Sequence, residues 1–267
     1  MTIYTLMPLH KCLGLAVIGV NLSEPIDAET SENLSRLLAE HLVLVFPDQS
    51  LTPDRYLAAA QAFGQLMRRH SGQNQVSGYP DIGLFRGDTG PASAEIWHTE
   101  YTSREHPPAA TLLYGVEIPT AGGGTSIADM RAAYWALPEE ERRRLETLRT
   151  INGADPDGSD LVEKYDAPVA HPMVRTHPVS RERSVYFHPT ETLYIEGMTP
   201  QASQEYLADL MERVIQPEIV YRHSWVKGDV LVIDQRATLH CAHNDYDRDE
   251  IRLLWRISIE GDRPALV

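Results

Sequence analysis

Residues 251–260 read Ile251-Arg252-Leu253-Leu254-Trp255-Arg256-Ile257-Ser258-Ile259-Glu260. Side chains of an extended chain alternate between its two faces. Leu253, Trp255, Ile257 and Ile259 therefore share one face, and Arg252, Leu254, Arg256 and Ser258 share the other. A period of two is a strand signal, not a helical one. Working back from this run, similar signals between Gly, Pro and Asp turns predict strands at 82–86, 94–101, 110–117, 184–188, 218–224 and 229–234. Leu13 to Val20 and Leu42 to Phe46 read as earlier strands. Helical signals are fewer. Leu34, Leu37 and Leu38 fall at helical spacing within 27–40. Thr52-Pro53 and Thr199-Pro200 each supply an N-cap followed by proline at the first helical position, predicting helices to about Phe63 and Val214. A fourth helix is predicted from Pro138 to about Leu148, its run Glu139 to Arg144 forming a solvated face. Many strands with a few helices outside them predict a mainly β protein, a sandwich or barrel, and not a doubly wound sheet.

Composition narrows the function. The chain has 267 residues, with 24 Lys+Arg against 38 Asp+Glu, a formal net charge of −14. An acidic surface argues against nucleic acid, whose phosphates require a basic one, yet a local pair of arginines can still hold a small anion. Two cysteines, Cys12 and Cys241, build neither a disulfide framework nor a thiolate metal site. No stretch approaches the roughly 20 apolar residues of a membrane span, and the Leu13–Val20 run, broken by glycines, lacks a cleavage site. The expectation is a cytoplasmic protein without a membrane partner, folded as one domain over 1–267.

The chemistry rests with the eleven histidines. Non-haem Fe(II) oxygenases bind iron with two histidines and one carboxylate on one face. A His-x-Asp/Glu run on a strand supplies two of these, because residues i and i+2 project from one face roughly 6–7 Å apart. Chance alone yields about 1.6 such runs in this composition, and the chain has two, His98-Thr99-Glu100 and His243-Asn244-Asp245. Only the first has a histidine downstream, His240, to complete a triad. The second lies in a polar loop, and His243 reads as a surface or supporting residue. Gly122-Gly123-Gly124-Thr125 lacks the Gly-Lys-Ser/Thr of a phosphate loop. His171 and His177 sit beside Pro172 and Pro178 and read as turns, not as a second metal site.

In order along the chain stand Leu44-Val45-Phe46-Pro47-Asp48-Gln49, Trp97-His98-Thr99-Glu100, Gly122-Gly123-Gly124-Thr125, His171-Pro172-Met173-Val174-Arg175-Thr176-His177-Pro178, Asp234 to His240, and Arg252 to Arg256 before Gly261-Asp262-Arg263-Pro264. These blocks resemble the TauD/TfdA (taurine dioxygenase-like) family of Fe(II)- and 2-oxoglutarate-dependent dioxygenases. The resemblance implies a double-stranded β-helix (jelly-roll, cupin-like) core. It implies His98, Glu100 and His240 as iron ligands, with O2 and 2-oxoglutarate as cosubstrates. Arg252 would pair with the distal carboxylate of 2-oxoglutarate, helped by Thr125, and guanidinium–carboxylate pairing suits that task. Arg256 would take the acidic group of a small anionic organic substrate. The two arginines lie roughly 13 Å apart along the strand, which favours two separate anions. His70, Tyr101 and His188 are further candidates for the substrate pocket. The expected reaction converts 2-oxoglutarate and O2 to succinate and CO2 while oxidising, most simply hydroxylating, the substrate, in a homo-oligomer (dimer or tetramer).

Departures from the family pattern also inform. Glu100 stands where aspartate is usual and resembles relatives that oxidise amino-acid-derived intermediates in specialised-metabolite biosynthesis. His188 replaces a common asparagine. Ala94, four residues before His98, replaces the substrate-binding asparagine of taurine enzymes, which points away from taurine. Residues 70–95 and 152–170 are expected to form lids over the pocket. Two other classes remain open at this point: a non-catalytic jelly-roll protein that binds a small acid, and a hydrolase with zinc on the same three ligands.

Overall fold

The computed structural model describes residues 4–68, 74–87, 95–153 and 167–267. Among these lie sixteen strands and five helices. In chain order they begin with β1 (Thr5–Pro8), β2 (Leu15–Ile18), α1 (Ala28–His41), β3 (Val43–Phe46), α2 (Pro53–Gln61), β4 (Gln75–Val76), β5 (Tyr79–Arg86) and β6 (Ala110–Glu117). The middle of the chain gives β7 (Thr125–Asp129), α3 (Met130–Ala136), α4 (Glu139–Thr147), β8 (Arg149–Asn152), β9 (Val169–Pro172), β10 (Val174–Thr176), β11 (Arg183–Val185) and β12 (Thr192–Ile195). The last elements are α5 (Pro200–Val214), β13 (Val220–His223), β14 (Val230–Asp234), β15 (Thr238–Ala242) and β16 (Leu253–Ile259).

Eight strands form one sheet in the order β1-β2-β3-β14-β6-β16-β5-β4. A second sheet, β13-β7-β15, is antiparallel throughout. The alternation along β14 shows how the layers stack. Val230 and Val232 join the core that also holds Leu34, Leu37 and Leu38 of α1 and Tyr56, Ala59 and Ala60 of α2. Leu231 and Ile233 join a different core, with Ile127 of β7, Leu113 of β6 and Leu254. A strand apolar on both faces is a strand buried on both faces. The large sheet thus carries α1 and α2 on its outside and the small sheet on its inside. On the far face of the small sheet, Ala128 of β7 and Leu239 of β15 pack with α3, α4 and α5. This is the double-stranded β-helix, with helices outside both sheets.

Local chemistry explains the helices. Asp27 caps α1 by accepting from the backbone N–H of Thr30, and Thr52 and Thr199 do the same for Arg55 and Ala202. The helix α1 ends at Leu42, whose φ of 65° and N–H bond to the Leu38 carbonyl close the last turn. Two expectations change. Residues 95–101 are not a strand, for their ladder shrinks to one antiparallel bridge between His98 and His240. Tyr101, at φ 49°, turns the chain away immediately afterwards. Within the expected lids, residues 74–87 contain β4 and β5 and belong to the large sheet, while β8 and β9 pair at Asn152 and Val169. Residues 70–73, 88–94 and 154–166, including His70 and Ala94, lie outside the described residues.

Candidate metal centre and the cavity around it

His240 sits on β15, an edge strand beside β7, and points between the two sheets. The backbone N–H of His98 donates to its carbonyl at 2.9 Å, and its own N–H donates to the carbonyl of His98 at 2.7 Å. That reciprocal pair sets the two imidazoles side by side, with centroids 4.2 Å apart. Glu100 follows two residues on. One ligand atom from each of His98, Glu100 and His240 lies within 4.8 Å of the other two.

The donor set fits a divalent transition metal. Nδ1 of His98 lies 2.7 Å from the carbonyl of Ile96 and donates to it, which leaves Nε2 with a free lone pair. Burial lowers the pKa of His98 against the opposing charge of Glu100. Burial, then the neighbouring His98, holds His240 well below the usual histidine range. Both imidazoles are therefore neutral, the form that ligates. Nδ1 of His240 is buried without a hydrogen-bond partner, and its Nε2 stands 3.8 Å from Glu100 Oε1, beyond hydrogen-bond reach. Two neutral nitrogens and one carboxylate, gathered but not bonded to one another, are the facial donor set of a non-haem iron site.

These three residues line a partly open pocket together with Thr125, Arg252 and Arg256. Arg252 is buried, and its Nε donates to the carbonyl of Gly123 at 2.7 Å. Nη2 of Arg252 reaches the hydroxyl of Thr125 at 3.4 Å, which also accepts from Trp225 Nε1 at 3.0 Å. No carboxylate of the described residues pairs with Arg252, and burial lowers its pKa. The glycine run makes room for this arginine: a Cβ at Gly123 would stand 3.1 Å from Arg252 Cδ. A Cβ at Gly122 would meet the Asp245 carbonyl at 2.2 Å. Asp245 itself accepts from the Gly123 N–H and pairs with Arg222, so the second His-x-Asp match serves a loop.

Arg256 meets an anion of the protein itself. Its Nη1 donates to both oxygens of Glu100, at 3.0 and 2.9 Å, and its Nη2 donates to the hydroxyl of Tyr101. The guanidinium lies over Phe85 at 4.3 Å. Arg256 thus forms a buried pair with Glu100, one of the three candidate ligands. Tyr101 enters the site through that same contact. His188 is buried with its ring 6.0 Å from that of His98, and its Nδ1 accepts from the N–H groups of Thr190 and Glu191. His243 bonds Ser126, while His177 bonds Asp234 and His171 bonds the carbonyl of Arg104, all away from the triad.

Two contributors escaped the sequence reading. Thr99, between the two ligands, faces the opposite way, and its buried hydroxyl donates to Gln235. Alternation along the chain was the available signal for it. Glu191 accepts from the hydroxyl of Thr102 and the N–H of Ser103, holding the turn that follows Glu100. Nothing local in the sequence marks it.

The profile described as "Taurine catabolism dioxygenase TauD, TfdA family" matches residues 5–258. The chain belongs to the TauD/TfdA family. Its members here are 2-oxoglutarate (alpha-ketoglutarate)-dependent dioxygenases. The chain is 31% identical to the alpha-ketoglutarate-dependent 2,4-dichlorophenoxyacetate dioxygenase of Cupriavidus pinatubonensis, over 96% of this chain and 97% of that one. Among solved structures, a taurine dioxygenase from Burkholderia xenovorans superposes with a TM-score of 0.86 at 31% identity, covering 98% of this chain and 91% of its own. AAD-2, crystallised with Mn(II) and N-oxalylglycine, matches with a TM-score of 0.83 at 28% identity, covering 99% and 100%. No described helix of this TauD/TfdA protein is long and apolar enough to cross a membrane.

Proposed function

We propose that this chain, working as one domain, is an Fe(II)- and 2-oxoglutarate-dependent dioxygenase that oxidises a small organic acid, with His98, Glu100 and His240 as the iron ligands. The observation that carries this reading is Arg252, a buried cation without a carboxylate partner among the described residues, in the same cavity as the triad. A charge taken out of water needs a counter-ion, and the distal carboxylate of 2-oxoglutarate supplies one. Thr125 accepts two hydrogen bonds and keeps its own O–H to donate to that carboxylate. Iron bound here supplies the activation of oxygen and the decarboxylation of 2-oxoglutarate to succinate and CO2.

The chain's own residues do the rest. The two neutral histidines offer lone pairs without first losing a proton. Arg256 fixes the plane of the Glu100 carboxylate. Its remaining N–H groups face the cavity where an acid group of the substrate would lie. Phe85, Leu113 and Leu254 give that cavity an apolar wall for the substrate's carbon frame. The family resemblance and the named acid substrate of the Cupriavidus relative support a small organic acid.

Anaerobic addition of Fe(II) and then 2-oxoglutarate tests the reading. The expected result is a visible metal-to-ligand charge-transfer band, lost in His98→Ala and His240→Ala. In Arg252→Gln the band should require roughly a hundredfold more 2-oxoglutarate, about 3 kcal/mol for a charged hydrogen-bonded contact. A wild-type protein that shows no such band, or releases no succinate with any of a panel of small acids, overturns it.

A further inference from the structure

Residues 95–101 carry two of the three candidate ligands without being part of a sheet ladder. Among the described residues, their backbone meets a strand at one place, the reciprocal pair between His98 and His240. One such pair fixes a point, and the chain can still pivot about it. Arg256 holds the Glu100 carboxylate and Glu191 the turn after it, and the backbone between His98 and Glu100 has one more attachment.

Thr99 provides it. Thr99 is 1% exposed. Its hydroxyl lies 2.8 Å from the carbonyl of Gln235 and 3.2 Å from Gln235 Oε1. Gln235 follows the last residue of β14 and opens the turn into β15, the strand of His240. That turn is anchored independently of the ligands. The Gln235 N–H donates to the Ala109 carbonyl, and Asp234 is bonded by His177 and Arg236. The hydroxyl of Thr238 donates to the Asp234 carbonyl at 2.6 Å.

We propose that Thr99 is a positioning residue of the metal site: its hydroxyl clamps the His98–Glu100 segment to the Gln235 turn and so sets the distance of both ligands from His240. The inference rests on the triad assignment above. Val has the shape of Thr without the donor, so Thr99→Val removes the clamp and leaves the packing, while Thr99→Ser keeps the donor. Mn(II) binding to the substrate-free protein, followed by the resonance of free Mn(II), gives the first readout. The absorption of the Co(II)-substituted protein gives the second, and melting of the metal-free protein monitors the fold. Loss of an outer partner of a metal ligand costs 10–100-fold in affinity. Thr99→Val should accordingly raise the Mn(II) Kd about tenfold and alter the Co(II) bands, with Thr99→Ser matching the wild type in both. An unchanged Kd and unchanged bands in Thr99→Val overturn the proposal. If Thr99→Val does not fold, Thr99→Cys, with a feeble donor, takes its place under the same two outcomes. Wild-type protein that takes up no Mn(II) would defeat the triad reading instead, so the two failures are separable.

Discussion

At the scale of single residues, the site is a balance of buried charges. Burial pushes the Glu191 carboxyl up from 4.5 to about 7, against the hydrogen bonds from Ser103 and Thr102. The folded protein therefore holds a proton there between about pH 4.5 and 7 that the unfolded chain has released. Stability falls as pH rises through that window. Urea unfolding at several pH values should show the decline, up to about 3 kcal/mol, and Glu191→Gln should flatten it. A slope unchanged in the variant refutes the assignment. The convergence of His98, Glu100 and His240 was legible, because a His-x-Glu run with a distant histidine is a motif of fixed residue order. Arg252 and Thr125 were legible only through neighbouring blocks. The Glu100–Arg256 pair spans 156 positions and the Glu191–Ser103 bond 88, and no local pattern records contacts of that separation.

At the scale of elements, helices announced themselves by their ends. Thr52-Pro53 and Thr199-Pro200 are caps whose hydrogen bonds the structure contains. The run 94–101 was misread because Ile96, Trp97, Thr99 and Tyr101 have strand propensities, yet the left-handed Tyr101 breaks the extension. In β7 and β15 the opposite happened. Thr125, Thr238 and His240 put polar groups on the inner face, so the apolar alternation that marked β16 is missing there. The helix α3 was missed because its cap, Asp129, ends a strand. The central strand β14 bears the packing load of both layers. Leu231→Ala, which opens a void between the sheets, should cost about 3 kcal/mol. Thr52→Ala, which removes only a cap, should cost about 1 kcal/mol. Denaturant midpoints with unchanged m-values decide both.

At the scale of the whole molecule, the acidic balance of −14 coexists with a basic pair turned inward. The charge that repels polyanions is spread over the surface, and Arg252 and Arg256 lie in a cavity between two sheets. The candidate ligands come from distant segments: His98 and Glu100 from a stretch outside the sheets, and His240 from β15 of the small sheet. A metal held by all three would tie that stretch to β15. Mn(II) at a hundred times its Kd should add about 2.7 kcal/mol of stability and raise the melting temperature by roughly 5–10 °C. His240→Ala should lose that increment while melting independently of the metal. An equal increment in the variant would place the ion elsewhere.

The burial of Arg252 also changes how affinities in this protein must be stated. A guanidinium to which the described residues offer only a carbonyl and a hydroxyl should draw in whatever small anion the solution offers. Its cosubstrate then enters by exchange with that anion, not by addition to a bare site. Measured in acetate, formate or chloride, the same protein will return different constants for 2-oxoglutarate, each valid only beside the name and concentration of the ion displaced.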